Sequence, residues 1–308
     1  MGSIKTYQKK ISKTVIPDIA LGINTAIMLV CIAVAFGFAI WWLNHTSSSQ
    51  HIWETFPLDK KIPLSFCEKI EVSNPVRQPI NTFSNIVYLI VSIIVFKNAW
   101  KERHNENSND LITLSTAYSF LFAFILLYVF FASSFYHAAL IPLAQRLDYS
   151  AVFAFSLFPI IFLLHRRWLI KKDKLRFLEK GKRAFAVFSV YLLTVLLLSL
   201  LVPRGKESLT ALILIQFFLW LAFFATIDKS DYHQKSYLVL SIASVFIALM
   251  FFEFDKYKIL CSPNSYFQTH SFWNLFIGLS AFYFYLYMRS EPGSDALVIK
   301  MKDKTQHV

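Results

Sequence analysis

The chain reads as an all-α integral membrane protein, and three observations lead there. Of its 308 residues 56% are hydrophobic and 16% charged, with a mean hydropathy of +0.49, a balance foreign to a water-soluble domain of this size. Thirty-two Phe and fourteen Tyr supply lipid-facing and interfacial aromatics. Apolar segments of roughly 20 residues, the length a helix needs to cross a bilayer core, recur eight times. A net charge of +12 would suit a nucleic-acid binder. The basic residues gather instead in loops between apolar segments, where membrane topology accounts for them.

The eight spans fall near 19–43, 79–98, 111–132, 148–164, 184–202, 208–227, 236–252 and 266–288. The first is a signal anchor rather than a cleaved signal, because its apolar run is too long for an h-region. The opening Met-Gly-Ser-Ile-Lys-Thr fits a loose myristoylation pattern, which an anchored chain does not need. An even number of spans puts both termini on one side. That side collects 22 of the 31 Lys and Arg residues, so the termini are expected to be cytoplasmic. The basic stretch 165–183 contributes most and reads as a topology determinant touching anionic lipid. Segment 44–78 is the longest outer connection, and the Lys-rich end after 288 is a cytoplasmic tail.

Cys31, Cys67 and Cys261 show no paired spacing. Cys67 and Cys261 both fall on the outer side, which leaves one disulfide open to them.

Polar residues gather at one depth. Residues 111–145 carry no charge, yet Ser133 and His137 stand at the outer end of span three, and Asp148 opens span four. Span eight begins outside with Gln268, His270 and Asn274. Ser133 and His137 are four residues apart, as are His270 and Asn274, so each pair shares a helix face. A lone histidine at a membrane surface is ordinarily a packed, hydrogen-bonded residue. Two histidines, an aspartate and a serine converging from three helices favour a ligand-binding or catalytic role, because ionisable groups in spans are costly. Tyr136, Gln268 and Trp273 lie in the same region, where packing is the default reading.

The blocks "SFCEKIEVSNPVRQPINTFSNIVY" (65–88), "SSFYHA…RLD" and "QTHSFWN", in this order, resemble the signature blocks of alkaline ceramidases. That family sits in a wider superfamily of seven-helix hydrolases that includes adiponectin-receptor-like and Per1-like proteins. The resemblance implies a seven-transmembrane-helix bundle over 79–288 with one extra N-terminal transmembrane helix. The domains are then 1–44 (N-terminus and additional helix), 45–78 (outer loop), 79–288 (core) and 289–308 (tail).

It also implies zinc held by three histidines beside a serine and an aspartate. By position these are His137 and His270 as metal ligands, with Ser133 and Asp148 as catalytic companions. The family's third ligand is replaced here by Asn274, a weak or lost ligand, since zinc prefers imidazole, thiolate or carboxylate. His137 and His270 with Asp148 could still form a two-histidine, one-carboxylate site. His45, His51, His165 and His233 lie in no matching motif. Of the family's calcium block only Glu68 and Gln78 remain, too few oxygens for tight calcium. Asn81, Ser84 and Asn85 are expected to serve helix packing.

The chemistry implied is metal-assisted hydrolysis of a ceramide-like lipid amide in the bilayer. Asp148 would move the proton to the leaving amine, and Ser133 would bond the oxyanion or the metal's water. No base triad makes Ser133 a nucleophile. The alternatives are a non-catalytic lipid-binding receptor or scaffold that has lost the metal, and a lipid esterase of the same superfamily. A transporter has less support, since no repeat or broken-helix pair is apparent. The location implied is the inner membrane of a bacterium, or the endoplasmic reticulum or Golgi of a eukaryote.

Overall fold

The computed structural model describes residues 23–46, 52, 53, 56, 58, 66–103, 116–171, 181–203, 206–226 and 235–290. Among them are nine α-helices and no strand. They are α1 Ile23–His45, α2 Pro79–Ser84, α3 Ile86–Glu102, α4 Thr116–Ala139, α5 Pro142–Lys171, α6 Gly181–Leu201, α7 Lys206–Thr226, α8 Lys235–Lys256 and α9 Thr269–Arg289. The myristoylation-like start, the centre of the basic stretch, the tail, His51, His233 and the side chain of His165 lie outside the described residues.

Each apolar segment read from the sequence coincides with helix, and the second is divided. Pro79 opens α2, where a missing N–H costs nothing. Asn85 then interrupts the chain: its Nδ2 donates to the carbonyls of Asn81 at 3.0 Å and Thr82 at 3.5 Å, taking acceptors that a continuing helix would use. Spans three and four run longer than expected. α4 continues past 132 through Ala139, and α5 starts at Pro142, six residues before Asp148.

Four stretches among the described residues are long and apolar enough to cross a membrane by themselves: Thr25–His45, Pro79–Glu102, Tyr118–Ala139 and Lys235–Lys256. α9 is not among them, and its burial explains why. His270, Asn274, Ser280, Tyr285 and Tyr287 all face the bundle interior, where a helix needs partners rather than lipid. On the outside, Val34, Phe38, Leu193, Leu197, Leu200, Ile215 and Phe218 are exposed. An apolar surface of that kind is stable against acyl chains and not against water.

The most extensive helix pairs are α8 with α9, α3 with α4, and α4 with α5, while α1 packs chiefly on α2 and α3. Short polar links fasten these pairs where no hydrophobic effect can act between helices. Ser92 of α3 donates to the Ala123 carbonyl of α4 at 2.7 Å, and Ser241 of α8 meets the Ser280 hydroxyl of α9 at 2.9 Å. At the end of the bundle away from 66–78, Arg289 of α9 pairs with Glu102 of α3.

α9 approaches α3 most closely at Gly278. A Cβ there would lie 2.3 Å from Val87 Cγ2, well inside contact distance. Gly278→Ala is expected to lower stability by about 1–3 kcal/mol through overpacking, with Val87→Ala in the same chain recovering most of the loss. Thermal unfolding of the two single variants and the double variant checks this; strictly additive losses would mean the contact does not govern the packing.

Candidate active site

The site is built on the closure of α4. That helix ends at a residue in the left-handed region, Leu140 (φ 50), whose N–H donates to the Tyr136 carbonyl at 2.7 Å. Its last carbonyls have no partners within the helix. The segment 66–78 supplies them. The Arg77 N–H donates to Ala138 at 3.0 Å, the Gln78 N–H to His137 at 3.2 Å, and the Arg77 guanidinium to Ala139 at 2.5 Å. A cation at this helix end also complements the negative pole of the dipole.

Gln78 is wholly buried, and its Oε1 lies 2.8 Å from His137 Nδ1. The imidazole is thereby fixed with Nδ1 toward the amide and Nε2 away from it. His270, in the first turn of α9, is held from the other side. Its Nδ1 lies 3.7 Å from Oδ2 of Asp255 at the end of α8. Asp255 is buried, and its Oδ1 accepts from the Cys67 N–H at 2.9 Å and from the Thr269 hydroxyl at 3.1 Å. Cys67 and Cys261 form the disulfide that the sequence left open, across 194 residues.

The two imidazoles meet, with ring centroids 4.7 Å apart. Phe66 stands edge-on to both, 5.0 Å from His137 and 4.8 Å from His270. Beside them the Ser133 side chain lies within electrostatic reach of Asp148, a proximity that the two-residue turn between α4 and α5 makes local. Asn274 is engaged at both ends of its amide: Oδ1 accepts from the Tyr88 hydroxyl at 3.3 Å, and Nδ2 donates to Ser84 Oγ at 2.8 Å.

Ser133, Asp148, Tyr88, His270 and Asn274 line one narrow cavity of about 110 Å³, which continues inward between α5, α7 and α8 along Val152, Ile213, Phe217 and Phe252. Tyr136 and Trp273 lie on its wall. Gln268 precedes α9 and donates to the carbonyls of Ser262 and Ser265, a loop-bracing role.

The structure brings the residues named from the sequence together and alters several roles. Glu68 and Gln78, the remnants of a calcium block, have other partners. Glu68 Oε1 and Oε2 accept from the N–H groups of Ile80 at 2.7 Å and Asn81 at 2.8 Å, which caps α2. Asn81 and Asn85 make the helix hydrogen bonds expected of them, and Ser84 accepts from Asn274. Phe66, Tyr88 and Asp255 went unnoticed in the sequence. A carboxylate three residues past the end of an apolar segment was the only available signal for Asp255.

Two nitrogens fit a shared cation. With imidazole nitrogens about 2.0–2.1 Å from zinc, two ring centroids subtending a near-tetrahedral angle stand roughly 5 Å apart, close to the observed 4.7 Å. Each Nδ1 faces an oxygen-bearing side chain, the arrangement that orients metal-bound histidines. The third donor is weaker. Asn274 offers only an amide oxygen that already accepts a hydrogen bond, and among the described residues no three of His, Cys, Asp and Glu gather around one point. The pair fits a loosely held ion. Asn274→His is expected to raise zinc affinity at least tenfold, read as metal content after dialysis against a weak chelator; unchanged content would remove residue 274 from the metal's surroundings.

Glu68 gives the site a pH dependence. Burial pushes its carboxyl from the ordinary 4.5 up to about 7, against the pull of the two backbone N–H donors, and the neighbouring Asp255 adds a smaller push upward. Between those two values the folded chain keeps a proton that the unfolded chain has lost. Stability therefore falls as pH rises through that window, by about 2–3 kcal/mol at most, and is flat above it. Thermal midpoints measured across the window should decline, and Glu68→Gln should flatten the decline. A wild-type midpoint that rises instead would contradict the assignment.

Comparison with known proteins supplies the remaining finding. The family model described as Ceramidase matches residues 60–291. Neither a search of curated proteins nor one of solved structures returned a match. The matched range covers α2 to α9, every residue of the site, and about three quarters of the chain, leaving α1 outside it. The chain belongs to the ceramidase family.

Proposed function

We propose that this chain is a multi-pass membrane hydrolase that cleaves the amide bond of ceramide-like lipids, releasing a fatty acid and a sphingoid base. The observation that carries the reading is an apolar-walled cavity lined by Ser133, Asp148 and His270, with the His137 ring beside that of His270, in a member of this family. In this reading α2 and α3 together count as the first of seven core spans, α1 is an additional anchor, and the termini are cytoplasmic. The site then lies near the outer or luminal surface.

The cavity is too narrow to hold a whole lipid. The substrate enters laterally between helices, its reacting amide beside Asp148 and part of its chains still in the bilayer. His137 and His270 would hold zinc, with the Asn274 oxygen or Asp148 as a weak third donor; a zinc ion there supplies Lewis acidity and lowers the pKa of a water. Calcium is not part of the proposal.

The chain's own groups do the rest. Asp148 takes a proton from the attacking water as its oxygen adds to the amide carbonyl. It returns that proton to the nitrogen as the C–N bond breaks. Ser133 keeps the carboxylate oriented during both transfers. Phe66 shields the histidines from bulk water, which strengthens every charge interaction beside them.

A second reading, a lipid-binding relative without catalysis, draws support from Asn274, whose amide oxygen and nitrogen each already make a hydrogen bond. One experiment separates the two. Purified protein in bilayer discs is given a labelled ceramide and, separately, a labelled phospholipid. Cleavage of the ceramide, reduced at least a hundredfold in Asp148→Asn and lost on chelation, is the expected result. Binding without cleavage of either lipid would favour the scaffold, and cleavage of the phospholipid alone would move the reading to an ester.

A further inference from the structure

Halfway along α7, on a face otherwise formed by Ile213, Phe217 and Trp220, stands a glutamine. Gln216 is 7% exposed and lines the same cavity as Asp148 and His270. Its Oε1 meets no hydrogen-bond donor among the described residues. Its neighbours in the wall have partners for at least one end of their amides: Asn274 bonds Tyr88 and Ser84, and Gln145, whose Oε1 also meets no donor among the described residues, donates through Nε2 to Tyr136.

A polar side chain within a span ordinarily hydrogen-bonds across to a neighbouring helix. Gln216 shows no such bond. An amide kept in an apolar wall without a protein partner is destabilising, and groups of that kind in membrane interiors mark ligand paths.

Its depth follows from helix register. α5 and α7 run in the same direction, and the Trp220 Nε1–H donates to the Ser156 carbonyl at 3.4 Å. Residue 216 therefore lies level with Val152, which also lines the cavity. Asp148 is one turn further out, so the amide lies about 6 Å deeper than that carboxylate. At that depth a bound lipid presents hydrocarbon. The polar group a hydrocarbon chain ordinarily carries is a hydroxyl, which can donate to the carbonyl oxygen or accept from the amide nitrogen, whichever way the amide is turned.

We propose that Gln216 is a specificity-determining residue, its amide hydrogen-bonding a hydroxyl on the substrate's chain a few carbons beyond the bond that Asp148 faces. This rests on the reading of the cavity as the seat of a lipid. It does not require that the lipid be cleaved.

The test is therefore a binding measurement. Two N-acyl lipids identical except for that chain hydroxyl compete with a fluorescent lipid for purified protein in bilayer discs. Wild type is expected to prefer the hydroxylated lipid by about fivefold or more, the range of one net hydrogen bond. Asp148→Asn should keep the preference and Gln216→Leu should lose it. Gln216→Met, closer in shape, gives the same readout if the leucine chain fails to fold. Equal affinity for the two lipids in wild type, or a preference that survives in the variants at position 216, overturns the proposal. A preference without any hydrolysis would leave it standing and remove only the catalytic reading.

Discussion

The fold's outer end depends on one requirement: the carbonyls at the C-terminus of α4 must find donors where water is scarce. An unpaired buried carbonyl costs about as much as a lost hydrogen bond, and three of them would unravel the turn carrying His137. The backbone of Arg77 and Gln78 meets the requirement together with the Arg77 guanidinium. Everything else about segment 66–78 follows from that docking. Once Gln78 is seated, its side chain reaches His137. Once the chain turns back toward Phe66, that ring covers both imidazoles. α1 helps from outside the family's range, since Asn44 pairs both amide atoms with the backbone of Val76.

Asp255 performs a comparable task on the other side of the histidines. Its two oxygens reach the N–H of Cys67, the hydroxyl of Thr269 and the ring of His270. One buried carboxylate thereby ties the 66–78 segment, the start of α9 and the end of α8. The Cys67–Cys261 disulfide runs beside these contacts. Its contribution is chiefly to limit the unfolded chain, whereas Asp255 sets the direction in which a ring points. Lys258 lies close enough to sense the Asp255 charge and also donates to the Phe66 carbonyl.

The helices were legible because lipid imposes a long apolar run on each, and such runs can be counted. What composition could not show was where a run is broken by hydrogen bonding, as at Asn85, or where the helix continues past it, as in α4 through Ala139. The histidine and aspartate positions were legible for a related reason: polar side chains stand out against apolar surroundings, and spacing by four assigns their face. The role of Gln78, and Phe66 and Asp255 altogether, were not legible. They reach the site from the 66–78 segment and from the last turn of α8, through contacts tens to nearly two hundred residues away in sequence that no local periodicity encodes. Tyr88 was hidden differently, since a tyrosine among apolar residues reads as packing until the partner of its hydroxyl is known.

Asn274 shows what an amide does in a buried polar pocket. A polar pocket in a membrane must be satisfied either by an ion that draws lone pairs together or by hydrogen bonds that use them individually. An imidazole at this position would offer one nitrogen to the centre. The amide instead faces outward in two directions, accepting from Tyr88 and donating to Ser84, and so links α9 to the α2–α3 junction. That link strengthens the helix contact where Gly278 brings α9 against Val87 one turn further along. Rigidity gained there restricts how far Asn274 can turn toward a cation. In the proposed function the hold on a metal would therefore fall to the two histidines, whose rings face Gln78 and Asp255, and the preorganisation of that pair would set how firmly an ion sits.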